Sequence, residues 1–337
     1  MVKLYKILFF NSMILGTLIA ISSFSWLGMW IGLEINLLSI IPLMNSSKNM
    51  LSSEASLKYF ITQTLASLVL MLSITLMMIV NEFITPMMNV PLSTLLNSAL
   101  LTKLGAAPFH FWFPEVMEGL NWFNCSILLT WQKIAPMALL MNNHLMANFI
   151  IIIILTSLMV STLMSLNQIS LRKIMAFSSI NHIAWMIAAM ISSFSVWLIY
   201  LMIYIFITLN VTYALNYSKI NLISQIPGML NSHKMLKFSM MANFMSLGGL
   251  PPFLGFLPKW LTINWMIIHN FTLLALILII ATLIMLFIYI RIMTSALLIS
   301  HNETKKINFK MNKFLGFSLN LLAIASLASC TLIFSLL

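Results

Sequence analysis

Long apolar runs separated by short polar connections follow one another along the whole chain. A bilayer core about 30 Å thick is crossed by roughly 20 apolar helical residues, and the pattern predicts about eleven such segments. They cover 4–22, 25–44, 56–80, 92–112, 122–141, 147–166, 173–192, 195–217, 236–268, 271–297 and 314–336. The expected fold class is therefore an all-α membrane protein. The basic start superficially resembles a signal peptide. Span after span follows with no small-residue cleavage site, so 4–22 is read as a retained first helix.

The connections carry charge on one side only. Numbered from the N-terminus, every second connection lies on the same side as that terminus. That side collects Lys3, Lys6, Lys48, Lys58, Arg172, Lys173, Lys219, Lys234, Lys237, Lys305, Lys306, Lys310 and Lys313. The opposite side collects no Lys or Arg. A miscounted span would scramble this separation. By the positive-inside rule the N-terminus faces the matrix or cytoplasm, and an odd number of spans puts the C-terminus opposite.

Composition agrees: of 337 residues 61% are hydrophobic and 7% charged, too few polar residues to cover a soluble domain. A soluble enzyme is excluded on that ground. The net charge of +11 is scattered among spans and forms no basic stripe for nucleic acid. Cys125 and Cys330 show no CxxC or Cys/His spacing, so neither a metal site nor a disulfide framework is expected. The many methionines show no spacing pattern and read as core filler.

Leu101–Met117, L-T-K-L-G-A-A-P-F-H-F-W-F-P-E-V-M, departs from the apolar rule. It is apolar enough for a bilayer, yet it holds Lys103, His110 and Glu115, and Pro108 and Pro114 break any regular helix. A lysine at a membrane centre costs about 3 kcal/mol on insertion scales. Backbone freed by a break must face protein or water, because lipid cannot satisfy it. A second stretch, Leu247–Lys259, has a similar order: Leu-Gly, small or apolar residues, Pro, Phe, aromatics, then Pro and a charge. Aligned at Leu-Gly, the two differ by a one-residue insertion. They fall in spans four and nine, and the odd offset predicts opposite directions across the membrane. Paired broken helices in inverted halves point to a transport site near the midplane. The expected organisation is one membrane domain: a first half at 1–142 with its broken helix at 92–112, a second at 143–300 with its broken helix at 236–268, and a C-terminal connection and helix at 301–337.

The remaining ionisable groups inside spans are few. Glu34 is central in its helix; it is a proton carrier, a protonated acid, or a carboxyl held by a neighbouring helix. Lys103 is its candidate partner, since an opposite charge holds both groups ionised. Lys133 lies too deep to snorkel, and a buried lysine is suited to accepting and releasing protons. Lys259 follows the second break as a relay group or a helix-end anchor. His182 reads as relay or as packing hydrogen-bonder, and His110 likewise. Glu115 and Glu118 fit a span end or a solvated face. His144, His233, His269, His301, Glu54, Glu82 and Glu303 read as loop or interface residues. Strings of titratable groups in apolar spans mark proton relays. The sequence has no phosphate-binding glycine loop, paired catalytic carboxylates, Ser-His-Asp arrangement or haem-like histidine pair, so no cofactor is expected on this chain.

Glu34 in W-I-G-L-E-I-N, Lys103 in the stretch above, Lys133 in T-W-Q-K-I-A-P, Q-I-S-L-R-K-I-M-A-F-S-S-I-N-H at 168–182 and G-G-L-P-P-F-L-G-F-L-P-K-W at 248–260 carry a resemblance. Together they resemble the antiporter-like membrane subunits of respiratory complex I, in the animal mitochondrial subunit-2 form. The resemblance spans essentially the whole chain. It implies an antiporter-like fold of two inverted five-helix repeats plus one C-terminal helix, in the mitochondrial inner membrane. Glu34 and Lys103 match the family's switching ion pair, Lys133 its central lysine, Lys259 its terminal lysine and His182 a histidine on the central axis. The implied role is proton translocation coupled to NADH:ubiquinone electron transfer elsewhere in the complex. NADH, FMN, iron–sulfur clusters and ubiquinone are expected on other subunits. The implied partners are the other membrane subunits, neighbouring antiporter-like subunits among them, and lipids, with no nucleic acid. A free-standing cation/proton antiporter and a passive scaffold remain as rivals. The antiporter should bind its ion in carboxylates, yet the sequence contains no Asp and only one mid-span acid.

Overall fold

The computed structural model describes residues 4–46, 49–83, 89–143, 146–226 and 234–298. The eleventh expected span at 314–336 lies outside them, as do Lys3, Lys48, His144, His233, His301, Glu303, Lys305, Lys306, Lys310, Lys313 and Cys330. Among the described residues the chain is helical without strands, apart from one isolated bridge between Ser170 and Leu222. It divides between Ser157 and Leu158 into two compact units.

The first unit opens with α1 (Leu4–Ser22) and α2 (Trp26–Met44), followed by α3 (Met50–Phe83). Ser25 sets the start of α2: its hydroxyl accepts the Gly28 amide at 3.2 Å, satisfying one of the donors a helix start leaves open. α1 and α2 pack backbone to backbone, because a Cβ at Gly32 would lie 2.5 Å from the Ala20 nitrogen. Small residues at such a contact let membrane helices approach closely, and here they fix the helix that carries Glu34. The 34 residues of α3 make it about 51 Å long, well beyond a hydrocarbon core of about 30 Å. The expected connection residues Glu54 and Lys58 are therefore helical.

The fourth expected span is two helices, α4 (Asn89–Leu104) and α5 (Trp112–Gly119), with the break between them. The second half thus extends to 119, where the expected boundary was 112. The fifth span, expected continuous, is also divided, into α6 (Trp122–Leu129) and α7 (Trp131–Asn142). At the corner Thr130 turns its hydroxyl onto the Ser126 carbonyl at 2.7 Å. Such bonding back to the preceding turn competes with the regular ladder.

α8 (Ala147–Ser165) contains the division between the units. The second unit continues with α9 (Leu171–Ser192), α10 (Phe194–Ser218), a 3₁₀ turn at Ile223–Gln225, α11 (Lys234–Gly248), α12 (Phe256–Ile268) and α13 (Thr272–Leu298). Its core is α9, buried from Ile174 through Met190, with α10, α12 and α13 packed against it. Among the described residues seven helices, α1–α3, α8–α10 and α13, are long and apolar enough to cross a membrane. The protein is a multi-pass membrane protein.

The two breaks share one backbone design. Gly105 and Gly249 both take left-handed backbone angles, φ 75° and 79°, which glycine adopts without a Cβ penalty. The Gly105 amide donates to the carbonyls of Leu101 and Thr102, and Ala106 to Leu101; Gly249 donates to Met245 and Ser246, and Leu250 to Met245. Phe109 then bonds back to Ala106 and Phe253 to Leu250; Phe113 bonds to His110 and Leu257 to Leu254. The matching bonds put Gly105 opposite Gly249, gaplessly, correcting the insertion expected from aligning Leu-Gly with Leu-Gly. The reason is steric: the left-handed corner selects the second glycine of Gly248-Gly249, while Gly248 closes α11. In this register Pro108 aligns with Pro252 and Glu115 with Lys259.

Candidate functional site

In the first unit, α2 and α4 bring Glu34 and Lys103 together. The ammonium lies 4.0 Å from Glu34 Oε1, with the lysine side chain 4% and the glutamate 21% exposed. That is an ion pair beyond direct hydrogen-bond length, and Glu34 Oε1 has no hydrogen-bond partner. At an effective dielectric of about 20, opposite charges 4 Å apart attract by about 4 kcal/mol. The charges attract, but the 4.0 Å separation leaves Glu34 Oε1 without a hydrogen bond from the ammonium.

Beside Lys103 lies a cavity of about 10 Å³ measured by the room it leaves for a water's centre, roughly the smallest space that holds one water. Leu33, Asn36, Tyr59, Gln63, Gln132 and Pro136 are among its walls. Asn36 and Gln132 exchange two amide hydrogen bonds of 3.0 and 2.9 Å, joining α2 to α7. Gln132 precedes Lys133, which is buried in the first turn of α7. Pro136 has no amide to give, so the Gln132 carbonyl lacks its intrahelical partner. Lys133 thus sits between a helix corner at Thr130 and a missing rung at Pro136.

His110 is buried in the break, its Nδ1 3.3 Å from the Pro108 carbonyl. Neutral groups surround this break: Gln63 Nε2 donates to the Lys103 carbonyl at 3.4 Å, Trp112 Nε1 to Thr102 at 3.2 Å and Thr156 Oγ1 to Ala107 at 3.1 Å. Glu115 stands apart from the buried groups. It is exposed on α5, where Lys58 of α3 donates to it at 2.9 Å.

In the second unit, His182 lies midway along α9, its Nδ1 2.9 Å from the Tyr200 hydroxyl. Tyr204, one turn further along α10, puts its ring centroid 5.1 Å from the imidazole and bonds to Ser179. Tyr289 of α13 bonds to Ser178. His182 therefore belongs to a buried set of hydroxyls drawn from α9, α10 and α13. Lys259, in the first turn of α12, reaches back to the end of α11: Nζ donates to the carbonyls of Leu247 at 3.2 Å and Gly248 at 3.0 Å. The same ammonium lies 5.7 Å from the centre of the Trp185 ring, within cation–π range.

The sequence pointed to Glu34, Lys103, Lys133, His110, His182 and Lys259, and all but Glu34 are buried within their units. It did not point to Asn36, Gln63, Gln132, Tyr200, Tyr204 or Tyr289. Tyr200 and Tyr204 share a helix face at i, i+4, and Asn36 follows Glu34 by two residues. Those spacings are the only traces these groups leave.

Broken helices with a buried lysine beside each break define an antiporter-like membrane subunit. Residues 23–285 match the family described as NADH:quinone oxidoreductase/Mrp antiporter, TM. The NADH-ubiquinone oxidoreductase chain 2 of Aedes aegypti is 47% identical, with all of both chains covered, and that of Anopheles gambiae is 44% identical over 99% of each. The chain belongs to the NADH-ubiquinone oxidoreductase chain 2 family. A chain of respiratory complex I from Thermus thermophilus with bound aureothin shares the fold at a TM-score of 0.87, with 21% identity over 97% of this chain and 78% of that one.

Proposed function

We propose that this chain carries protons across the mitochondrial inner membrane as an antiporter-like core subunit of complex I. Glu34, Lys103, Lys133, His182 and Lys259 form the relay, and His110 is an accessory to it. A charge change in a neighbouring subunit loosens the Glu34–Lys103 pair, which alters the proton affinity of Lys133 and then of Lys259. A charge about 7 Å away contributes roughly 2 kcal/mol at an effective dielectric of 20, enough to decide which of two lysines holds a proton. The observation that carries this reading is the Glu34–Lys103 pair, stretched to 4.0 Å in an apolar interior beside a water-sized cavity that Gln132 also lines.

In the same reading the two breaks belong to inverted repeats, their shared backbone design and gapless register being the support. The three interrupted pairs α4–α5, α6–α7 and α11–α12 each complete one span. With the seven long helices among the described residues and the span that the sequence leads us to expect at 314–336, this gives eleven. The one-sided basic connections support an N-terminus in the matrix and a C-terminus in the intermembrane space. NADH oxidation and quinone reduction belong to other subunits, with no cofactor on this chain, and its partners are the neighbouring membrane subunits and lipids.

The test is Lys133→Met in the assembled complex. Assembly is expected to survive while proton pumping falls at least several-fold. Pumping at the normal rate in an assembled variant complex would contradict the relay. Failure to assemble would instead favour a passive scaffold.

A further inference from the structure

The two breaks have the same backbone but close it with different chemistry. In the gapless register Lys103 corresponds to Leu247, so their carbonyls are equivalent points near the end of α4 and of α11. The Lys103 carbonyl receives the neutral amide of Gln63 at 3.4 Å. The Leu247 carbonyl receives the Lys259 ammonium at 3.2 Å, and Gly248 receives it at 3.0 Å. A helix leaves its last carbonyls without intrahelical donors and gathers partial negative charge there. In an apolar interior those carbonyls need a donor from elsewhere in the protein.

The seat is shaped for this side chain. Lys259 is buried, and a Cβ at Gly249 would stand 2.9 Å from both its Cδ and its Nζ. At Gly105 the nearest atoms such a Cβ would meet are those of the Phe113 and Trp112 side chains, at 3.3 Å. The left-handed angle asks for glycine at both corners; only at Gly249 does the missing side chain also make room for a cation.

We infer that Lys259 has a second role beyond the relay: its ammonium is the C-terminal cap of α11, and the end of α11 is a cation seat filled from within the chain. Two of the three ammonium hydrogens are committed to the Leu247 and Gly248 carbonyls. The proton that Lys259 exchanges is then the third, and releasing it leaves the cap held by a neutral amine. Proton occupancy and the closure of the second break are thereby linked, and by reciprocity a change in the break alters how firmly the proton is held. The first break, closed by Gln63, has no such link.

Hydrogen–deuterium exchange of the whole complex tests this at residues 245–250, with 101–106 as internal reference. Lys259→Met removes every donor, and exchange at 245–250 is expected to rise tenfold or more while 101–106 stays unchanged. Lys259→Arg keeps donors and charge but holds its proton, so exchange is expected to stay near that of the unaltered chain. Unchanged exchange in Lys259→Met, or equal exchange in the Met and Arg variants, overturns the cap. Pumping read on the same samples reports the relay separately: both variants are expected to lose it. Retained pumping would sink the relay and leave the exchange result standing on its own.

Discussion

Glu34, Lys103 and the amides beside them show how a few polar side chains can be kept in an apolar interior. The ion pair is buried on the lysine side and partly open on the glutamate side. Asn36 and Gln132 each give one hydrogen bond to the other across α2 and α7. Removing one member should therefore do more damage than removing both, because a single truncation strands a buried amide at a cost of about 1–3 kcal/mol. Gln132→Leu is expected to speed thermal inactivation of the complex, and Asn36→Leu with Gln132→Leu to recover most of that stability. Because both amides also line the cavity beside Lys103, pumping is expected to stay low in the double variant. Comparing inactivation rates and pumping across the three proteins checks it; full recovery of both would assign the pair a packing role alone.

Among the elements, the breaks are where strain and chemistry meet. Gly105→Ala and Gly249→Ala impose the same left-handed penalty, about 1–2 kcal/mol for a residue with a Cβ. Only the second also collides with a lysine. Gly249→Ala is thus expected to depress pumping well beyond Gly105→Ala at matched assembly, and native-gel assembly measured beside pumping decides. Equal losses would assign both glycines to backbone geometry alone.

These elements also show what a single sequence discloses. Residues 4–22 are helical as expected, and α2, α8, α9, α10 and α13 start and stop within two residues of the expected bounds, since polar residues bracket each apolar run. The start of α3 was hidden: Ser52, Ser53, Glu54 and Lys58 read as a connection, yet the helix simply continues out of the apolar zone. The corner at Thr130 was hidden too, because a hydroxyl bonding back to Ser126 leaves no compositional mark. Buried charge was legible residue by residue. Beyond the pairing of Glu34 with Lys103, its partners were not: Gln63 with the Lys103 carbonyl and Tyr200 with His182 are pairings between helices, invisible to periodicity along one helix.

At the scale of the whole molecule, each unit holds a break at a left-handed glycine with a buried lysine beside it, and the two differ in what surrounds that lysine. The first offers Lys103 a carboxylate and a water-sized space; the second holds Lys259 on backbone carbonyls near the ring of Trp185. In the proposed relay, the loosely paired charge in one half and the tethered one in the other would convert an arriving electrostatic change into stepwise proton release. Lys133, buried in the first turn of α7, is the proposed step at which charge and proton carriage can be told apart. The most direct measurement is the number of protons moved per NADH oxidised by vesicle-reconstituted complex carrying Lys133→Arg, which retains a positive charge but does not release its proton. The relay predicts an assembled, electron-transferring complex with a clearly lowered proton yield. An unaltered yield would contradict it, because a fixed charge at that position would then suffice.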